Sequence, residues 1–506
     1  MGNELTGGGL LMRSLILRRL LLRGVLADDE PFVGLLLPPS VAGVVANMAI
    51  SLDRRKPVNL NYAASSDVIN QCIAQASLRH VLTSRAVMEK FDLNLDAELV
   101  YLEDFRSKAT WRDKLSGAMA SYLVPAKWLS RSLNLHRIRA DDLVTLVFTS
   151  GSTGMPKGVM LSEMNIGSNV EAIEQVFRLQ REDTLLGILP FFHSFGYTVT
   201  LWAVMALDVR GAYHFNPLDG RQIGKLCQKQ RVSVLVGTPT FLRNYLRRCE
   251  KEEFESVDTV VVGAERLPPD LSDAFEQRFR VRPIEGYGTT ECSPLVSVNI
   301  PASRTVAGRT AETKEGTVGR PIPGVKAKVT DLDTGEELGD DQPGMLWIKG
   351  PNIMQGYYRR EDLTAKVLQD GWYRTGDVAL IDAEGFIRIT GRESRFSKIG
   401  GEMVPHLKIE EALAELIPGD EEQGPKAIVT AIPDSRKGER LIVIHTALEV
   451  TPDELCEGLL KAGLPKLYIP SRDSFLQVDE LPMLGSGKLD LKGIQQIALE
   501  RFGNEG

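Results

Sequence analysis

Four stretches of this 506-residue sequence carry residue types that can do chemistry. Between Thr149 and Lys157 an apolar run passes into Ser150, Gly151, Ser152, Thr153 and Gly154, and the stretch is closed by Pro156 and Lys157. Glycines let backbone N–H groups approach one anion closely, hydroxyls add donors, and Lys157 adds a compact positive charge. The order is not that of a Walker A loop, because Gly158 rather than Ser or Thr follows Lys157. Nor does it contain the dinucleotide pattern G-x-G-x-x-G. The bland alternative is a Ser/Gly-rich surface turn.

The second stretch is Gly286-Tyr287-Gly288-Thr289-Thr290-Glu291. Two glycines around an aromatic ring leave room for a flat ligand such as a purine, and Glu291 offers a hard oxygen for Mg²⁺. A structural turn accounts for these residues equally well. Upstream, Gly263-Ala264-Glu265 follows an apolar run; small residues there would let adenine stack, although a packed turn explains them alone. Third, Asp377 ends the segment Gly371–Asp377, where a carboxylate after a tight turn can accept both hydroxyls of a ribose, with Arg392 as a donor from the opposite side. Fourth, Gly485-Ser486-Gly487 delivers Lys488, a cation suited to stabilising charge that shifts on a phosphoryl centre. Taken alone, that last stretch reads as a surface turn.

These stretches need elements to hold them. From residue 30 to about 300, short apolar runs (Phe32–Leu37, Ala97–Leu102, Leu143–Phe148, Thr184–Leu189, Val232–Val236, Thr259–Val262) alternate with helical patterns at Ser162–Arg178, Gly220–Gln230 and Thr240–Lys251. The alternation predicts an α/β fold with a largely parallel sheet covered on both faces, whose ligands sit beyond the carboxyl ends of the strands. Residues 315–390 are rich in Gly, Pro and β-formers and predict a small antiparallel β unit. After a charged, glycine-bearing stretch at Gly391–Gly401, a helix–strand–strand–helix pattern predicts a small α+β unit. The expected division is residues 1–393 and 394–506.

Bulk properties exclude some classes. The length exceeds what one core supports. With 43% hydrophobic and 25% charged residues and a net charge of -7, the chain is of ordinary globular composition and is not expected to bind nucleic acid. Five scattered cysteines without metal-ligand spacing read as reduced thiols, which points to a cytoplasmic protein. The leucine-rich segment Leu10–Leu26 is interrupted by Arg13, Arg18, Arg19 and Arg23, too often for a membrane span. It is expected to pack its leucines on a domain, while its basic amphipathic pattern allows peripheral contact with the inner face of a membrane.

In order and spacing the four stretches resemble the adenylate-forming superfamily of acyl-CoA synthetases, amino-acid adenylation domains and luciferases, over nearly the whole chain. The resemblance implies a large N-terminal domain and a small mobile C-terminal one, with ATP and Mg²⁺ bound between them. It implies Thr149, Ser150, Gly151, Ser152, Thr153, Gly154 and Lys157 around the ATP phosphates. Gly263, Ala264, Glu265, Gly286, Tyr287, Gly288 and Thr289 would lie around adenine, Thr290 near the α-phosphate and Glu291 on Mg²⁺. Asp377 and Arg392 would hold the ribose, and Lys488 would contact the reacting carboxylate and α-phosphate. Ser394 falls at the hinge, and Gly400 and Gly401 at the thiol tunnel. The implied reaction joins a carboxylic acid to AMP and then passes the acyl group to a thiol.

The acid and the thiol are narrower questions. Leu189–Gly196 resembles the family segment beside the acyl site, with His193 as a gate, and Phe191, Phe195, Val199 and Leu201 suit a fatty chain. Ser51–Tyr62, Phe396–Val404 and Leu484–Lys488 resemble the acyl-acyl-carrier-protein synthetase half of bifunctional 2-acylglycerophosphoethanolamine acyltransferase/synthetases. The usual acyl-CoA synthetase pattern is altered at Ser394, Pro405 and Lys408. The first expectation is therefore a long-chain fatty acid:acyl carrier protein ligase, free of the acyltransferase half, for lipid synthesis or phospholipid remodelling. A fatty acyl-CoA ligase is the alternative, and a non-catalytic acyl-nucleotide binder is the rival from another class.

Overall fold

The structure is a computed structural model that describes residues 4–149, 155–305, 312–400, 402–417, 425–434, 436–482 and 489–503, without the side chain of Ser394. Its first sheet is wholly parallel and runs Lys56–Asn59, Phe32–Leu35, His80–Thr83, Glu98–Tyr101. A second sheet of seven strands has a parallel body (Arg210–Tyr213, Thr184–Gly187, Val234–Gly237, Thr259–Val262, Ile284–Gly288) and an antiparallel edge (Leu295–Val298, Arg320–Pro321). Buried Val, Leu and Ile fill the central strands, as expected for strands covered on both faces. The α/β reading holds.

One strand departs from that reading. Leu143–Thr149 joins neither parallel sheet; it forms an antiparallel hairpin with Lys157–Ser162, to which Gly356–Tyr357 adds a third strand. The reason is local. Lys157–Ser162 pairs back along Leu143–Thr149, and Val159 and Leu161 bury beside Val147 in one core. Register sets Lys157 opposite Thr149 at the mouth of the turn. The small β unit is likewise not closed on itself. Lys326–Thr330, Gly344–Lys349, Trp372–Ile381, Leu368–Gln369 and Ile387–Arg392 form one antiparallel sheet, while Gly356–Tyr357 leaves it for the hairpin.

Residues after Arg395 build a separate sheet (Glu402–Pro405, Phe396–Ile399, Gly438–His445, Ala427–Asp434, Phe475–Gln477) covered by the helices His406–Leu416, Pro452–Lys461 and Leu491–Phe502. Among the described residues, ion pairs of Lys398 with Asp333 at 2.8 Å and of Arg266 with Glu411 at 2.5 Å join it to the larger part. The leucine-rich N-terminal segment is the helix Gly7–Gly24. Its Leu17, Leu20 and Leu21 are buried, so it packs on the domain as its leucine spacing predicts. Among the described residues no helix is long and apolar enough to cross a membrane.

Within the C-terminal sheet His406 is buried, and its Nε2 lies 2.5 Å from the Ser397 hydroxyl. Burial, with Arg395 nearby, pulls its pKa down from 6.5 to about 3. A histidine depressed in the fold contributes stability that is complete above its unfolded pKa and is lost as pH falls toward the folded one. By pH 5 the wild-type unit is expected to have lost about 2 kcal/mol more than a His406→Gln variant. Amide hydrogen exchange of Ala427–Asp434 at pH 7 and pH 5 measures this; equal losses in both proteins would remove the assignment.

Candidate active site

The hairpin and the β unit meet at a buried tyrosine. Tyr357 pairs in register with Val159, and its hydroxyl donates to Glu291 Oε1 at 2.7 Å. Lys157 Nζ donates to the same hydroxyl oxygen at 3.4 Å and lies 4.5 Å from the ring centroid. Burial, with Glu291 beside it, pushes the Tyr357 phenol well above its ordinary value, so it stays a neutral donor. Glu291 is 8% exposed and sits in a short turn, Thr290–Cys292, whose Glu291 carbonyl accepts from Met354 N–H at 2.8 Å. Lysine, tyrosine and glutamate from three distant parts of the chain thus form one string. Beside it, the Thr149 hydroxyl is buried with no hydrogen-bond partner among the described residues. A buried hydroxyl without a partner among the described residues leaves a donor that a polar anionic ligand could take.

A second polar centre lies on the β unit. Asp377 is buried, and Arg392 Nε donates to its Oδ1 at 2.8 Å while the Tyr287 hydroxyl donates to Oδ2. Asp377 and Arg392 are cross-strand partners, so the arginine lies against the carboxylate instead of facing it from the opposite side. Each carboxylate oxygen keeps a further lone pair for a ligand hydroxyl. Burial, then the charge of Asp377, raises the Tyr287 phenol far above its usual range.

The small residues have steric reasons. A Cβ on Gly288 would stand 2.1 Å from the Pro294 carbonyl oxygen, and one on Gly263 would press 3.3 Å from the Phe195 ring. Ala264 holds a left-handed φ of +69°, a conformation costly for a residue with a Cβ. Gly263–Glu265 follows the strand Thr259–Val262, which neighbours Ile284–Gly288 in parallel register. Thr240 donates to Glu265 at 3.2 Å, and Arg266 carries the ion pair to Glu411. Thr290 accepts from the buried Ser194 hydroxyl at 3.2 Å, which ties the second stretch to the segment after Pro190.

His193 is exposed at the start of that segment, and its Nδ1 accepts from Phe195 N–H at 3.5 Å. The expected apolar lining is mostly absorbed by the interior. Phe191 and Leu201 pack in a core with Tyr197, and Val199 lies in another, because Gly196–Trp202 winds as a wide π-type turn whose side chains point inward. Only Phe195 of the four stays partly exposed.

Several predicted residues fall outside the described residues: Ser150, Gly151, Ser152, Thr153, Gly154, Gly401 and Lys488. Ser394 lies in the turn Glu393–Arg395, and Gly400 adopts φ +59° with its N–H donated to the Lys437 carbonyl at 2.7 Å. Sequence reasoning missed Tyr357 and Ser194. Tyr357 had a faint signal, an aromatic pair after Gly356 in a β-forming run, but nothing in the sequence linked it to Glu291. Among the described residues no cluster of three or more His, Cys, Asp or Glu is placed to hold a metal. The lone Glu291 carboxylate suits Mg²⁺, which retains waters and takes its other ligands from phosphate. All five cysteines are buried and unbridged.

Comparison with known proteins identifies the family. A family model described as AMP-binding enzyme matches residues 2–358. A long-chain-fatty-acid–CoA ligase of Bacillus subtilis (strain 168) is 31% identical over 361 residues, 69% of this chain and 60% of that protein. One from Thermus thermophilus is 31% identical over 406 residues, 76% of this chain and 72% of that protein. The matched part thus spans 60% of the length of the first relative. Among solved structures, ATP-bound MatB from Rhodopseudomonas palustris superposes with a TM-score of 0.76 at 24% identity, covering 99% of this chain and 94% of that one. O-succinylbenzoate CoA synthetase from Bacillus subtilis, with its acyl-adenylate, gives 0.77 at 22% identity over 96% and 92%. Those two likenesses concern the fold.

Tyr357→Phe keeps the ring and removes only the hydroxyl between Lys157 and Glu291. It is expected to cost roughly 1–3 kcal/mol of stability, because a buried carboxylate loses its donor. Urea unfolding reads this loss. A Tyr357→Phe/Glu291→Gln double variant should lose less than the two single losses summed, whereas additive losses would deny the contact any energetic weight.

Proposed function

This chain belongs to the AMP-binding enzyme family, and from that premise we propose that it is an AMP-forming acid–thiol ligase that activates long-chain fatty acids with ATP and transfers the acyl group to CoA. The observation that carries the reading is the Lys157–Tyr357–Glu291 string beside the buried hydroxyl of Thr149, which has no partner among the described residues. It brings a cation, a neutral donor and a carboxylate together beside the end of the strand Leu143–Thr149. The relatives named long-chain-fatty-acid–CoA ligases support the acid class and favour CoA over a carrier protein.

In the first half-reaction an oxygen of the fatty carboxylate attacks the α-phosphorus of ATP. The bond to the bridging oxygen breaks and pyrophosphate leaves with that electron pair. The residues bind and orient: the Thr149–Lys157 turn takes the phosphates, and Asp377 with Arg392 takes the ribose hydroxyls. Gly263–Glu265 and Gly286–Thr289 take adenine, and Thr290 lies by the α-phosphate. Mg²⁺, when bound through Glu291, would neutralise charge on the phosphates. Tyr357 holds the Glu291 carboxylate in place and limits its rotation. Lys488 serves the carboxylate and the α-phosphate oxygens as charge shifts between them. His193 gates the acid.

In the second half-reaction a thiol sulfur attacks the acyl carbon, the thiol proton is lost, and the carbon–oxygen bond to AMP breaks. A hinge at Ser394 between units 1–393 and 394–506 would withdraw Lys488 and bring Gly400 and Gly401 to the thiol. Carrier-protein thiol is the second reading, favoured by the departures at Ser394, Pro405 and Lys408. Pro405 directly precedes the helix His406–Leu416, so that departure alters how the helix begins.

Palmitate-dependent ATP–pyrophosphate exchange is the direct test. Lys157→Met and Glu291→Gln should each lower kcat/KM by about 10²–10³, the scale for losing one preorganised charge partner. Absence of exchange with every fatty acid tried would sink the ligase reading. Lys488→Ala should suppress exchange yet leave thioester formation from preformed acyl-AMP largely intact. Acyl transfer to CoA and to holo-carrier protein, measured side by side, should favour CoA; transfer to the carrier protein alone would reverse the acceptor.

A further inference from the structure

The helix Trp111–Tyr122 has two unlike faces. Its inner face rests on the N-terminal helix: Gly117 sits where a Cβ would meet Ile16 at 2.7 Å, and the Ser121 hydroxyl donates to the Gly8 carbonyl at 2.8 Å. Asp113 also turns inward, where it closes a capping box with Thr110 and pairs with Arg19 and Arg23 at 3.2 Å each. The outer face carries a stripe at helical spacing, with Trp111 68%, Leu115 50% and Met119 50% exposed. Leu123 and, on the next helix (Ala126–Ser132), Trp128 extend it at 73% and 67%. A water-soluble surface seldom gathers large apolar side chains, two of them tryptophans, into one patch.

The charge around the stripe has one sign. Residues 105–137 hold seven Lys and Arg and a single acidic residue, the inward-turned Asp113, for a formal charge of +6 in a chain whose total is -7. Arg106, Lys108, Arg112, Lys114, Lys127, Arg131 and Arg137 are all exposed. Aromatic side chains amid lysine and arginine suit the boundary between anionic headgroups and acyl chains, where rings lie shallowly and cationic stems reach outward. A second copy of the chain would bring +6 against +6, which like-charge repulsion disfavours. We propose that the outer face of Trp111–Ser132 is a docking surface for an anionic phospholipid bilayer. The leucine-rich N-terminal helix, whose sequence alone suggests that role, instead buries its leucines and serves as the platform behind this face.

The proposal does not rest on the ligase reading, because its test measures only binding. Full-length protein is sedimented with vesicles of phosphatidylcholine containing roughly a third phosphatidylglycerol, with pure phosphatidylcholine as control, at low and high salt. The wild type should bind the anionic vesicles, bind the neutral ones weakly, and release as salt rises. Two variant sets are compared: Trp111→Ser/Leu115→Ser/Trp128→Ser, and Arg112→Gln/Lys114→Gln/Lys127→Gln. All six positions are exposed, so both sets should keep the wild-type melting curve. Each set should lower partitioning by about tenfold or more, the first by removing inserted side chains and the second by removing headgroup attraction. The proposal is overturned if the wild type does not bind anionic vesicles, or if both sets bind as the wild type does. Concentration-dependent self-association in sedimentation velocity, abolished by the serine set and unaccompanied by vesicle binding, would assign the face to a second copy.

Discussion

The hydrogen bond from the Tyr357 hydroxyl to Glu291 is the interaction on which the candidate site depends. Its donor stands on a two-residue strand that leaves the β unit to pair with the Lys157–Ser162 strand of the hairpin, and its acceptor stands beyond the last parallel strand of the large sheet. Three layers therefore share one buried contact. The same hydroxyl receives Lys157, so the position of the cation is coupled to that of the carboxylate. A buried carboxylate needs such partners, since its desolvation would otherwise be borne without compensation. The core around it, including Val159, Leu346, Tyr373 and Cys292, excludes water and holds the string in one arrangement.

Asp377 repeats this logic at a second point. Tyr287 comes from the large sheet and Arg392 from the neighbouring strand of the β unit, and both close on one carboxylate. Arg392 is the last residue before the turn Glu393–Arg395 that leads into the C-terminal unit. The Asp377 centre and the passage between units therefore share a few residues. The pairs Arg266–Glu411 and Lys398–Asp333 cross between the units, the first close in sequence to Ala264. Both involve exposed side chains, and such pairs contribute little stability, about 0–1 kcal/mol each.

Away from the site, the N-terminal helix and the Trp111–Tyr122 helix form one assembly in which basic and acidic groups are sorted. Arg19 and Arg23 meet Asp113, the one acidic residue within 105–137, which leaves the exposed charges of that segment cationic. Under the proposed function, a membrane surface on this edge would bring the protein beside a fatty acid that partitions into bilayers. The same sorting explains how a chain of negative net charge can carry a strongly positive face.

Much of this was legible in sequence because it is local. Alternating apolar runs and helical patterns gave the parallel strands, since burial on both faces demands continuous Val, Ile and Leu. The Gly220–Gln230 helix and the Thr259–Val262 strand lie where their patterns put them. Gly286–Glu291 and Asp377 stood out as candidates because close backbone approach and charge require particular residue types at short spacing. Pairing was not legible. A run such as Leu143–Thr149 reads the same whether its neighbour is parallel or antiparallel, and only the hairpin return through Lys157–Ser162 decided it. The inward turn of Phe191, Val199 and Leu201, the meeting of Arg392 with Asp377, and the role of Tyr357 were decided the same way. The sequence determined which chemical groups are present and which lie on strand, helix or turn. Tertiary structure decided which of them touch, because contacts between residues as far apart as Lys157, Glu291 and Tyr357 are set by packing of whole layers and leave no periodic trace in the chain.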